Sequence, residues 1–377
     1  MAPIAIIYIN FGPYHLARVA AFAHLVPEVV GIEIAGQVNR RPWRPSKEKL
    51  PFWLATLFNS SFETVPVKEQ VKAIHSFLNK EKPKVLVIAG YSEPVMRAAA
   101  AWAKKNRAIS ISLCDSWEKD KPRYWVKEKI KSFIIKKLYH AAFVSGERSY
   151  AYIKSLGMAD DFIWKGTDVV DNSYFGRNSN IIRSKRDDFR QRMKLPEQYF
   201  LYVGRFSPEK NLHRLLQAYN QYRKKGGKWD LVLVGSGPQE QELKTIAKKE
   251  NIAGLHWRGF KQYEELPAYY SLASCFVLPS LSEPWGLVVN EAMACGLPVL
   301  VSRHCGCLPE LCHRGINGFD FDPLDVAGLA DLMLRMSSGE IDLKSFSEAS
   351  RRIISLYTPE TWARSLYDCI ITINRRC

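Results

Sequence analysis

Residues 278–300 read LPSLSEPWGLVVNEAMACGLPVL. An apolar strand ends at Leu278, a loop carries Glu283, a helix starts near Gly286, and a second apolar strand follows at 299–301. A glycine at the helix start lets a ligand approach the backbone. The N–H groups of Gly286 and Leu287 and the positive helix end then form an anion site suited to a phosphate. Glu291 lies one turn beyond Leu287 on the same helical face, within reach of ribose hydroxyls. Glu283 stands where sugar hydroxyls would lie. Taken singly, each glutamate also fits a plainer role: a solvated loop acid, or an acid that favours the helix dipole.

Outward from this unit the same alternation recurs. Buried parallel strands are expected over 4–9, 85–89, 109–113 and 142–144, and again over 200–203, 231–234, 275–278 and 299–301. Helical stretches such as 211–225 and 239–249 lie between them. Strand–helix alternation implies parallel sheets covered on both faces. The expected fold is α/β, with two Rossmann-like doubly wound domains facing a central cleft. The alternation breaks around 172–196, which is polar and of mixed charge, so 176–196 is read as a linker. It would join an N-terminal domain (1–175) to a C-terminal domain (197–358). The amphipathic tail 359–377 is expected to pack back on the first domain. Ligands of such sheets bind at the carboxyl ends of the strands.

A second informative stretch is YVGRFSPEKNL, residues 202–212. A strand ends at Gly204, and Arg205 and Lys210 follow. Two cations opposite a helix-end anion site could clamp a diphosphate and stabilise the charge it develops on leaving. Surface cations are the plainer reading of either one alone.

GRFSPEKN at 204–211, VGSGP at 234–238 and LPSLSEPWGLVVNEAMACGLPV at 278–299 together resemble the C-terminal half of retaining glycosyltransferases of family 4, which have the GT-B fold. Glu283 and Glu291, separated by seven residues, match that family's E-x7-E motif. GINGFDFDP at 315–323 resembles its asparagine–glycine loop. The resemblance implies a nucleoside-diphosphate-sugar donor, retention at the anomeric carbon, and no cofactor or metal. It places the diphosphate on Arg205 and Lys210, the donor sugar on Glu283 and the ribose on Glu291. Gly204, Gly286, Leu287 and, from the first half, Gly12 complete the donor-side set, and the resemblance makes 1–175 the acceptor-side domain and 197–358 the nucleotide-sugar domain. The base is unread, with uridine favoured over guanosine.

The first half matches less well. FGPYH at 11–15 occupies the place of the family's glycine-rich first loop but has only Gly12. His15 and Arg18 are candidate cleft residues, His15 with a helix-capping or surface role as its alternative. Asp115 stands where many members carry a histidine, which leaves the sugar-facing group of this half open.

The chain has 377 residues, enough for two domains, with 47% hydrophobic and 24% charged residues, as soluble globular proteins do. No apolar run approaches the roughly 20 residues that span a bilayer, and the N-terminus reads as a first strand without a signal peptide, so a cytoplasmic location is expected. The eight cysteines are scattered. The cluster His304, Cys305, Cys307, Cys312 and His313 lacks the paired spacing of a zinc site, so buried or loop thiols are the default. GSGP at 235–238 lacks the third glycine and distal acid of a dinucleotide fingerprint. Asp320 and Asp322 spell a D-x-D motif, but within the asparagine–glycine loop.

The net charge of +16 favours an acidic partner. Nucleic acid rests on charge alone and is not expected. From Lys119 to Lys137 there are eight basic and two acidic residues. Between Lys119 and Leu138 they interleave with Trp125, Val126, Ile130, Phe133 and Ile134. This is either a core-packed helix with a basic outer face or a segment that meets anionic lipid on the inner face of a membrane. The expected acceptor is a glycan or lipid-linked saccharide in envelope or exopolysaccharide synthesis. Competing functions are a sugar-nucleotide epimerase or hydrolase of the same fold, or a protein that binds nucleotide sugar without turnover.

Overall fold

The computed structural model describes residues 4–39, 43 and 45–376. Met1 to Pro3, and Cys377 of the C-terminal tail, lie outside the described residues. The chain divides into two compact units. One takes the chain up to Glu118, Pro122–Val170 and the segment from Tyr357 on; the other takes Lys119–Lys121 and Asp171–Leu356.

The first unit holds β1 (Ile4–Tyr8), β2 (Val29–Gln37), β3 (Trp53–Ser61), β4 (Val85–Ala89), β5 (Ile109–Cys114), β6 (Ala141–Val144) and β7 (Ile163–Lys165). They form one sheet in the order β3-β2-β1-β4-β5-β6-β7, and every neighbouring pair is parallel. Side chains alternate across a strand, so β1 feeds two cores. Ala5 and Ile7 join Ile74, Leu78, Val95 and Ala99 on one face. Ile4 and Ile6 join Val19, Phe22, Trp362 and Leu366 on the other. The second set brings the Pro359–Arg376 helix against the Pro13–Leu25 helix, within this unit.

The second unit holds β8 (Tyr199–Val203), β9 (Asp230–Val234), β10 (Leu255–Trp257), β11 (Cys275–Leu278), β12 (Val299–Ser302) and β13 (Gly318–Phe321). Its sheet order is β10-β9-β8-β11-β12-β13, again parallel throughout. Both sheets are doubly wound about a switch point, the Rossmann arrangement expected from the sequence.

Two readings need correction. Residues 176–196 are not a linker: helices Asn172–Ser184 and Arg186–Met193 occupy them, inside the second unit's long stretch Asp171–Leu356. The first of these helices packs on Leu266–Leu272 and Leu287–Ala294. It looks polar because it buries only Phe175, Ser179 and Ile182. Its contact is completed by Arg183, which donates to the carbonyls of Ser271 (3.2 Å) and Cys295 (2.6 Å). Burial draws that guanidinium down to about 10, and the charge of Arg351 adds to the effect. Secondly, the 315–323 stretch is not all loop. Gly318–Phe321 is edge strand β13, paired along β12.

Candidate functional site

In the second sheet β8 lies beside β11 and runs parallel to it, so the loops leaving their carboxyl ends emerge side by side at the switch point. Those loops carry Gly204, Arg205 and Lys210 on one side, and Glu283, Gly286 and Leu287 on the other. Backbone bonds join them. The Leu281 N–H donates to the Glu209 carbonyl at 2.8 Å. Asn211, left-handed at φ 60° after the single turn Pro208–Lys210, donates its buried side-chain amide to the carbonyls of Pro279 (3.0 Å) and Pro323 (2.8 Å). Lys210 is therefore aimed by a fixed turn rather than by a mobile surface loop.

Lys210 and Glu283 form an ion pair, Nζ donating to Oε2, with side-chain exposures of only 18% and 13%. Burial disfavours the Lys210 ammonium, but the charge and hydrogen bond of Glu283 outweigh it and hold the lysine above its ordinary range. Ser280 Oγ reaches the same carboxylate oxygen at 3.3 Å. The Glu283 loop is braced from behind. Its carbonyl accepts the Gly306 N–H (3.0 Å), and the Trp285 carbonyl accepts the Cys307 N–H (3.1 Å). This contact needs glycine, because a Cβ at Gly306 would fall 1.7 Å from the Pro284 carbonyl oxygen.

Gly286 caps the Leu287–Ala294 helix at φ 111°, a conformation that other residues rarely adopt. The Val289 N–H donates to the Gly286 carbonyl at 2.8 Å, while the N–H of half-buried Leu287, at the very start of the helix, has no carbonyl one turn earlier within it. The positive helix end thus opens beside the Lys210–Glu283 pair. Arg205 follows on the β8 loop, its side chain exposed and its carbonyl accepting the Tyr202 hydroxyl at 2.8 Å. Gly204 ties this loop down, its N–H donating to the Val234 carbonyl at 3.0 Å.

Glu291 is fully buried, and its Oε2 accepts the hydroxyl of buried Tyr270 at 2.5 Å. Any ligand hydroxyl on this carboxylate would share it with Tyr270. Burial pushes the Tyr263 phenol far above the usual range, and the Glu291 charge adds to the shift. Tyr263 stacks on Tyr174 at 4.9 Å and 19°. Asn211 and Tyr270 went unnoticed in the sequence. The available signals were a turn-favouring asparagine just before a helical run and a tyrosine in an apolar helix, whose hydroxyl needs a partner when buried.

In the first unit Gly12 is the N-cap of the Pro13–Leu25 helix, and its N–H donates to His15 Nδ1 at 3.1 Å. The helix-capping alternative is thus the geometry observed, with the His15 ring stacked on Tyr8 at 4.1 Å. Because Nδ1 accepts, the neutral tautomer carries its proton on Nε2. Buried Arg18 pairs with Asp168 at 2.8 Å and donates to the Val169 carbonyl at 3.1 and 2.9 Å, which leaves it a bracing role. Burial pushes the Tyr8 phenol up to about 12; Arg18 pulls against the shift, while Asp168 and Asp115 add to it. Asp115 is exposed on the loop after β5 and within electrostatic reach of Tyr8. Glu33 also went unread. From β2 its carboxylate accepts the Phe11 N–H (3.0 Å), Thr56 Oγ1 (2.7 Å) and Lys47 Nζ (2.7 Å), fixing the first loop.

The discounted motifs have structural occupations. The loop starting at Gly235 packs on the β8 loop, where the Phe206 N–H donates to the Ser236 carbonyl at 2.9 Å. Asp320 is bridged by Arg303 (2.6 Å) and Arg314 (2.8 Å). Burial opposes ionisation there, but the two guanidinium groups prevail and depress the carboxyl pKa. Asp322 Oδ1 accepts the Leu324 N–H at 2.9 Å. The seven described cysteines are buried and form no disulfide among the described residues, and burial pushes Cys312 up to about 12. Among the described residues no three His, Cys, Asp or Glu side chains cluster as metal ligands.

Comparison with known proteins bears on the fold and on the second unit's sequence. A family model described as glycosyl transferases group 1 matches residues 184–353. The amylovoran biosynthesis glycosyltransferase of Erwinia amylovora is 35% identical over 158 residues, 40% of this chain and 39% of that protein. The O-antigen chain mannosyltransferase B of Escherichia coli is 35% identical over 140 residues, 36% of each chain. The chain thus spans less than half the length of these curated relatives. Two solved structures share the fold over the whole length. The Anabaena HepE structure with UDP matches at TM-score 0.77 and 14% identity, covering 98% of this chain and all of that one. Sucrose-phosphate synthase of Thermosynechococcus elongatus matches at TM-score 0.78 and 19% identity, covering both chains completely. Residues 184–353 thus match the model of glycosyl transferases group 1, on a chain whose two Rossmann-like units have the GT-B fold.

Proposed function

We propose that the chain is a retaining, metal-independent glycosyltransferase that moves a sugar from a nucleoside-diphosphate donor to a hydroxyl acceptor. One observation carries this reading: the inward-held Lys210–Glu283 pair beside the Gly286 helix end, at the switch point of the second sheet. The diphosphate would sit between Lys210, Arg205 and the N–H groups of Gly286 and Leu287. Glu283 would accept sugar hydroxyls, and Glu291, already bonded to Tyr270, would accept from ribose.

In the reaction the bond from the anomeric carbon to the phosphate oxygen breaks, and its electrons pass to the diphosphate. Lys210, Arg205 and the helix end stabilise that charge. The acceptor hydroxyl forms the new bond on the same face, and its proton passes to the departing phosphate oxygen. No separate protein base is required.

Uridine is the favoured base, since a structural neighbour of this fold is known in complex with UDP and with UDP-glucose. The acceptor is a glycan or lipid-linked saccharide in envelope or exopolysaccharide synthesis, in keeping with relatives named for amylovoran and O-antigen. The test is thermal stabilisation by UDP, GDP and ADP, followed by sugar release from the matching donors. A ligand at a hundred times its Kd stabilises by about 2.7 kcal/mol. If none of the three raises the melting temperature, the donor site is misassigned.

A further inference from the structure

The Trp125–Leu138 helix presents its most apolar residues to solvent. Trp125 is 71% exposed, Phe133 61%, Ile130 54% and Val126 48%, with Tyr124 just before it at 59%. Val126, Ile130 and Phe133 fall at i, i+4 and i+7, so they share one face. Ile135 is the helix's one fully buried residue; at 100° per residue it points almost directly away from Val126 and Phe133. The inward side is anchored by a polar seam. Glu128 accepts from Tyr152 (2.7 Å) and from Lys131 (2.7 Å). The helix is thus fixed by one face and exposes an apolar ridge on the other.

Exposed lysines border that ridge. Lys127, Lys129 and Lys137 lie over the Tyr124, Trp125 and Phe133 rings at 5.0, 4.9 and 4.9 Å. Lys136 is exposed as well. Aliphatic and aromatic side chains ringed by ammonium groups suit the boundary of an anionic bilayer. There the ridge would enter the acyl region while the lysines meet headgroup phosphates. A second copy of this chain is a poor occupant, because both faces would be basic on molecules of net charge +16.

We propose that this helix docks the first unit in the plane of an anionic lipid surface, with Val126, Ile130 and Phe133 inserted and Lys127, Lys129, Lys136 and Lys137 at the headgroups. The membrane expectation drawn from charge and periodicity thereby acquires a defined face. The sugar-transfer reading is independent of it.

The test is co-sedimentation of the full chain with vesicles of phosphatidylcholine alone or with phosphatidylglycerol at about one-third. Wild type should sediment only with the anionic vesicles. Each lysine near such a surface contributes about fivefold in partitioning, so Lys127→Gln, Lys129→Gln and Lys137→Gln together should weaken it about a hundredfold. Val126→Ser, Ile130→Ser and Phe133→Ser should weaken it at least tenfold, and both triple variants should keep the UDP-dependent melting shift of wild type. If the serine variant does not fold, the glutamine variant decides. No binding to anionic vesicles, equal binding to neutral ones, or a concentration-dependent dimer lost in Phe133→Ser would each overturn the proposal. Vesicle binding without any nucleotide response would instead refute the donor site and leave this surface standing.

Discussion

Replacing Lys210 separates a catalytic cation from a merely structural ion pair. In Lys210→Ala the Glu283 carboxylate stays 13% exposed on a loop braced by 305–307 and loses its counter-charge. Breaking a fully buried pair this way costs about 3–5 kcal/mol; the remaining exposure here lowers the expectation to about 1–3 kcal/mol. Turnover should fall on the order of a hundredfold or more, as when one transition-state donor is removed. The Lys210→Ala, Glu283→Gln double variant removes the stranded charge, so its stability should recover by about 1 kcal/mol or more relative to the single variant. Its turnover should not recover. Chemical denaturation gives the stabilities, and continuous release of nucleoside diphosphate gives the rates. Recovery of both together would mean that the pair only holds the loops, and near-native turnover in the single variant would remove Lys210 from the chemistry.

Arg205→Ala removes an exposed side chain, so stability should change by less than about 0.5 kcal/mol while turnover falls about a hundredfold; an unchanged rate excludes Arg205 from the diphosphate site. Activity should survive EDTA, and Asp320→Asn should leave it intact; loss of activity on chelation, restored by magnesium or manganese, would return Asp320 and Asp322 to consideration as ligands. The same substitution should cost about 1 kcal/mol at neutral pH, since both arginine partners are about half exposed. The folded carboxyl pKa is depressed, so the contribution is complete above the ordinary aspartate value near 3.9 and fades as pH falls through the folded value. A stability gap between wild type and Asp320→Asn that persists in acid well below that range would contradict the assignment. Gly306→Ala drives a Cβ into the Pro284 carbonyl and should destabilise by about 1–3 kcal/mol while weakening nucleotide binding; native-like nucleotide binding would show that the brace is dispensable.

The doubly wound fold was legible because its central strands are short, buried and apolar on both faces. Residues 85–89 and 275–278 were read with the bounds observed. What escaped was what periodicity does not encode. β2 carries Glu33 in its middle, and β3 is largely solvent-facing at the sheet edge. β10 and β13 are three- and four-residue edge strands. The Asn172–Ser184 helix hid behind its polar contact through Arg183. In the site, the order of loops around the switch point was legible, and with it the neighbourhood of Lys210 and Glu283. Long-range supports were not, because a carbonyl acceptor leaves no mark in sequence: the Asn211 stitch to Pro279 and Pro323 spans 68 and 112 residues.

The most direct test of sugar transfer is continuous release of nucleoside diphosphate from UDP-, GDP- and ADP-linked sugars by the wild-type chain. Donors of one base should be cleaved slowly in water and faster with saccharide acceptors, and both rates should fall on the order of a hundredfold in Lys210→Ala. A folded wild-type chain that releases nucleoside diphosphate from none of these donors, with or without acceptor, would contradict the account.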